Sequence, residues 1–182
     1  MTKLMGYDLF RYDFSGCEPC GLTGASRSKG YGGFVGANSS RIVNGVDLVP
    51  GEAPWQVALT RSQRLPISVF CGGSLINANW VLSAAHCTYT TTASSIFAVL
   101  GMVSRSSGGL VIRIERQVLH PDWDRPSLVY DLTLLKLSTA VNLPEHRNIR
   151  PICWPSVPPT AGTRVSLTQF WSDALKIKYY LE

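Results

Sequence analysis

The sequence predicts an all-β chain built around a closed antiparallel barrel. Two observations carry that expectation. Short apolar runs recur between Gly and Pro turn signals, the spacing of many short strands. Within one run Ile112 and Ile114 alternate with Arg113 and Glu115, the period of two that marks a strand with one wet face. Antiparallel strands of this kind close on themselves because closure removes exposed edges.

Taken in order, residues 1–40 show little hydrophobic periodicity, and Gly, Ser and Tyr dominate Gly21 to Ser40, so a flexible leader is expected. Strands are expected over Trp55 to Thr60, Ile67 to Ile76, Trp80 to Ser83, Ile96 to Val103, Leu110 to Leu119 and Leu132 to Ser138. The tail from Gln169 to Glu182 supports two readings. Leu175, Ile177, Tyr179 and Leu181 alternate as on a strand, whereas Trp171, Ala174, Leu175 and Lys178 fall along a helix; a helix from Ser172 is preferred.

At 182 residues the chain is long enough to bury most of its surface as one or two domains. The net charge of +5 comes from scattered Lys and Arg with no basic stripe, which argues against nucleic-acid binding. No run reaches the roughly 18 apolar residues of a membrane span, so no membrane partner is expected. The start, Met1-Thr2-Lys3-Leu4-Met5-Gly6-Tyr7-Asp8, has an early charge but no apolar run of signal-peptide length after it. Five cysteines is an odd number and leaves one thiol unaccounted for. His120 and His146 read as structural or solvated. No metal-ligand spacing emerges, and no cofactor is expected.

The chemistry centres on Val81-Leu82-Ser83-Ala84-Ala85-His86-Cys87, read with Cys71-Gly72-Gly73-Ser74-Leu75-Ile76. A strand ends on apolar residues, two alanines admit no bulk, and a histidine follows beside a cysteine that can be tied back to Cys71. Asp131 opens Asp131-Leu132-Thr133-Leu134-Leu135-Lys136-Leu137, a run so apolar that its carboxylate should be part-buried and in need of a donor. His86 is the natural donor.

Together with Arg41-Ile42-Val43-Asn44-Gly45, Pro54-Trp55-Gln56-Val57 and Arg150-Pro151-Ile152-Cys153, these blocks resemble the trypsin-like (chymotrypsin family) serine proteases, in the family's order. The resemblance covers Arg41 to about Thr168. It implies that residues 42–168 form a single six-stranded barrel, the first half of a double barrel, with a leader over 1–41 and an unrelated tail over 169–182. It further implies that His86 is the general base of peptide-bond hydrolysis and Asp131 its orienting carboxylate. Arg41 would precede the activation cut, made before Ile42 by an activating protease, with the sequon Asn38-Ser39-Ser40 close by. Cys71 would pair with Cys87, and Cys153 would tether the leader through Cys20, with Cys17 the runner-up. The substrate would be a polypeptide and the compartment extracellular. A secreted-type domain with no visible export signal then implies an incomplete start or a chain that is not exported. The loop Ser104 to Gly109, near where some family members bind calcium, has no carboxylate.

The family's nucleophile lies in a Gly-Asp-Ser-Gly-Gly motif of the second barrel, and this sequence contains no such motif. Ser74 matches a barrel position, and Ser166 and Ser172 lack the glycines of an oxyanion nest. Gln169-Phe170-Trp171 stands where the family's Gly-Trp-Gly turn would be. The expectation is the N-terminal part of a protease zymogen, truncated and inactive alone, with a non-catalytic binding module or decoy as the alternative. A new ammonium at Ile42 would lack its aspartate partner, so cleavage should lock nothing in place. The barrel face left open should promote association, poor solubility and marginal stability.

Overall fold

The computed structural model describes residues 20–21, 46–155, 157, 160–161, 165–171 and 174–180. Most of the expected leader, with Cys17, Asn38, Arg41 and Ile42, lies outside the described residues, as does Ser172. The short strand β1 (Val46–Asp47) is followed by β2 (Gln56–Thr60), β3 (Val69–Asn77) and β4 (Trp80–Ser83). A one-turn helix α1 (Ala85–Thr88) precedes β5 (Phe97–Leu100), β6 (Leu110–Leu119), β7 (Thr133–Leu137), β8 (Val165–Trp171) and β9 (Ala174–Tyr180). Strands β2 to β7 close into a six-stranded antiparallel barrel in the order β2-β3-β4-β7-β6-β5. The six expected strands and the six barrel strands differ only at their ends.

Burial explains why these residues make a barrel. Val57, Leu59, Leu75, Val81, Ile114, Leu135 and Leu137 fill its interior, each at most 2% exposed. Strand β2 is buried along its whole length because it is packed on both faces. Val57 and Leu59 belong to the interior, while Ala58 joins Ile67, Val99 and Met102 in a second cluster capped by Phe170 of β8. Register irregularities at Leu59/Thr60, Leu75/Asn77 and Ile114/Arg116 bend the sheet, as closure of a small barrel requires. Gly73 marks a close approach of β3 to β4: a Cβ there would sit 2.7 Å from Val81 Cγ1 and 2.9 Å from the Leu82 carbonyl oxygen. Among the described residues no helix is long and apolar enough to cross a membrane.

The preferred helix from Ser172 is overturned. Ala174–Tyr180 is a strand, paired with β8 from Val165↔Tyr180 to Trp171↔Ala174 and with β1 at Val46↔Ile177 and Asp47↔Lys176. A strand there finds backbone partners on both sides, which a helix in the same place would forgo. The result is a separate three-stranded sheet, β1-β9-β8. Thr168 of β8 hydrogen-bonds the Gln56 side chain of the barrel at 2.5 Å. A cavity of about 260 Å³ lies at this seam, lined by Gln56, Phe70, Arg105, Thr168 and Phe170 among others.

Candidate active site

Local structure fixes His86 first. The buried Ser83 hydroxyl at the end of β4 donates to the Gly72 carbonyl at 2.7 Å, fastening β4 to β3. Ala85, fully buried, admits no larger side chain at the turn into α1. Cys87 on α1 is joined to Cys71 on β3, with their Cα atoms 6.2 Å apart. The histidine between these anchors therefore has little freedom of backbone.

The β4–β7 ladder then brings the carboxylate. Ser83 opposes Thr133, so Asp131, just ahead of β7, arrives beside α1 although it is 45 positions from His86 in sequence. The His86 backbone N–H donates to Asp131 Oδ1 at 2.7 Å. His86 Nδ1 lies 2.5 Å from Asp131 Oδ2. An ionised carboxylate only accepts, so Nδ1 carries the hydrogen of that bond, and in the neutral ring Nε2 keeps its lone pair. Nε2 points toward Cys87 Sγ, 3.5 Å away. The His86 side chain is 52% exposed and that of Asp131 21%.

Burial pushes the Asp131 carboxyl upward, but this is outweighed. The side-chain and backbone hydrogen bonds of His86, its charge and the Ala85 amide hold the carboxyl below its ordinary value. The arrangement holds a half-exposed imidazole in one tautomer, with its second nitrogen bare of hydrogen beside the disulfide.

The loop that delivers Asp131 is built from residues that sequence reading did not single out. Leu128 and Tyr130 both have φ of +54°, a conformation side chains seldom adopt. The turn is held by an Asp124–Val129 bridge and by the Ser127 hydroxyl donating to Asp124 Oδ2 at 2.5 Å. The Tyr130 ring stacks on His120 at 4.8 Å and 8°. The spacing of Asp124 and Ser127, an acceptor three residues ahead of a hydroxyl, was the available signal for such a turn.

Ser74 lies in β3 opposite Gln56 and Leu82, and Ser166 lies in β8 opposite Tyr179. Among the described residues no serine hydroxyl is hydrogen-bonded to His86. His146 sits in a turn, its carbonyl accepting from Arg150 at 2.5 Å. Cys20 is joined to Cys153 with Cα atoms 4.9 Å apart, beside a Gly21 N–H that donates to the Pro151 carbonyl at 2.9 Å. Donor atoms of Cys71, His86 and Cys87 lie within 4.8 Å of one another, but both sulfurs are committed to the disulfide.

A closed six-stranded barrel presenting a carboxylate-held histidine beside a disulfide defines a protein of the trypsin-like serine protease class. The sequence pattern of the Trypsin family matches residues 42–172, and the chain belongs to that family. Among its relatives, Kallikrein-4 of Homo sapiens is 37% identical over 131 residues, covering 72% of this chain and 49% of the relative. Trypsin theta of Drosophila melanogaster is also 37% identical, over 132 residues, covering 72% of this chain and 48% of the relative. The chain thus spans about half the length of the curated relatives it matches. Two disulfides fit an extracellular protein.

Proposed function

We propose that this chain is the acid–base half of a trypsin-like serine endopeptidase zymogen and that by itself it hydrolyses no peptide bonds. The carrying observation is the pair of contacts from His86 to Asp131, one from the backbone at 2.7 Å and one from the ring at 2.5 Å. In the intact enzyme His86 Nε2 takes the proton of a serine hydroxyl as it attacks the peptide carbonyl, then returns it to the leaving amine. Asp131 keeps the ring in the required tautomer and stabilises the imidazolium. The sequence supplies no Gly-Asp-Ser-Gly-Gly motif, and with it go the nucleophile and the amides that bind the oxyanion. Loss of the serine costs about a millionfold in turnover in a triad of this design, and loss of a single oxyanion donor about 3 to 4 kcal/mol. Zymogen character rests on Arg41 before Ile42, where an activating protease would cut.

A second reading, in which the barrel docks a partner polypeptide, is favoured by a different observation. Leu128, Val129, Tyr130 and Leu132, flanking Asp131, are 40–54% exposed, an apolar surface beside the site. A fluorophosphonate probe separates the readings. The pure chain should not be labelled; labelling would overturn the proposed inactivity. Labelling that appears only when a second-barrel fragment of a family protease is added supports docking, and its absence with a pulldown of no stoichiometric partner removes that reading.

A further inference from the structure

We propose that His120 is a positioning residue for the His86–Asp131 pair, bracketing Asp131 from both sides through its ring on Tyr130 and its backbone on Leu132. Asp131 lies ahead of β7, where the ladders to β4 and β6 have not yet begun; both start at Thr133. The strand pairing therefore brings Asp131 near His86 without fixing its carboxylate.

The bracket is built from a few contacts. The His120 N–H donates to the Leu132 carbonyl at 2.9 Å, and the Leu132 N–H donates to the Tyr130 carbonyl at 2.7 Å, closing a three-residue turn with Asp131 at its centre. The Tyr130 ring lies flat on the His120 ring, with centroids 4.8 Å apart and planes 8° apart. The His120 ring is itself oriented, because its Nδ1 accepts from the Asp122 N–H at 3.2 Å. Tyr130 has φ of +54° and is 54% exposed, so neither backbone preference nor burial keeps it there. A side-chain-bearing residue persists in that conformation only where its surroundings hold it. The stack supplies that hold at the residue adjoining Asp131.

Without the ring contact the Tyr130 backbone is released to leave the left-handed region, and rotation about its dihedrals swings Asp131, the next residue in the chain. The ring contact from Asp131 Oδ2 to His86 Nδ1, at 2.5 Å, is then weakened, and with it the preference for the Nδ1–H tautomer that leaves Nε2 able to accept a proton. His120 acts through Tyr130 and Leu132, not on the imidazole directly. The value of this to catalysis rests on the proposed hydrolytic role, but the tautomer can be read in the chain alone, so a failure here is distinct from a failure of that role.

The test uses the full chain with its disulfides intact, labelled with nitrogen-15 histidine and held in alkaline buffer, where imidazoles are neutral. Correlations from the ring C–H protons to the ring nitrogens report the two tautomers, and the His86 signals are assigned by their loss in His86→Gln. The unsubstituted chain should show His86 mainly as the Nδ1–H form. His120→Ala and Tyr130→Ala should each lower the ratio of Nδ1–H to Nε2–H roughly 2- to 10-fold, the range to which a stacked aromatic pair corresponds. The double variant should fall no further than either single one, since both remove the same contact. His120→Phe keeps a flat ring and should return the ratio to within about twofold of the unsubstituted chain. Amide exchange at Leu135 in the barrel interior should stay unchanged, which separates movement of Asp131 from loss of the fold. Should His120→Ala not fold, Tyr130→Ala compared with Tyr130→Phe gives the same answer. An unchanged ratio in the alanine variants, additive losses in the double variant, no recovery in His120→Phe, or a change that comes only with faster exchange at Leu135 overturns the proposal.

Discussion

Replacing Asp131 with Asn separates the charge of the carboxylate from its shape. The substitution keeps an acceptor oxygen for the His86 backbone N–H, now at 2.7 Å, and puts an amide donor where Oδ2 meets Nδ1 at 2.5 Å. One charge-assisted hydrogen bond is lost, and such bonds contribute about 1.5–3 kcal/mol net. Because Asp131 is 21% exposed, water recovers part of this, and roughly 1–2 kcal/mol is expected at neutral pH. The pH dependence gives the sharper test. The folded carboxyl sits below its ordinary value despite the opposing effect of burial, through the hydrogen bonds and charge of His86 and the Ala85 amide. Its stabilisation is therefore fully present above the unfolded value of about 3.9 and is lost as pH falls through the lower folded value. Urea unfolding of both proteins at neutral pH and well below that range should show a gap that closes in acid. A gap unchanged by pH, or none at neutral pH, would refute the argument.

Two substitutions probe the scaffold. Leu135→Ala empties a fully buried position opposite Val81 and should cost about 2–5 kcal/mol in denaturant unfolding; a loss well under this range would mean that the interior collapses onto the gap. Gly73→Ala forces a Cβ against Val81 and the Leu82 carbonyl and should cost about 1–3 kcal/mol. Gly72→Ala, whose Cβ meets only the flexible Gln56 amide at 3.3 Å and the Val57 carbonyl at 3.7 Å, should cost less, and the reverse order would contradict the account of β3–β4 packing.

The barrel strands were legible because each carries its own local signal. The alternation of Ile112 and Ile114 with charged neighbours survives into β6, where the isoleucines are buried and Arg113 and Glu115 exposed. The tail was not legible for the opposite reason. Its residues 174–180 fit either period, and the choice is made by β8 and β1, one adjacent and one far away in sequence. The burial of Ala58 on the outer face of β2 was hidden likewise, since Phe170 of β8 helps to cover it. At the candidate site the proximity of His86 and Asp131 was argued from the need of a carboxylate for a donor. The left-handed conformations at Leu128 and Tyr130 had no signature of their own, since neither is Gly or Asn, and only the Asp124–Ser127 spacing marked the turn.

The pairing of Val46 with Ile177 sets a timetable for biosynthesis. On the ribosome the six barrel strands emerge and can zip together while β1 still waits, because its mate β9 follows all six in sequence. A nascent chain halted before residue 174 would carry a finished barrel with β1 unpaired until β9 arrives to fasten it.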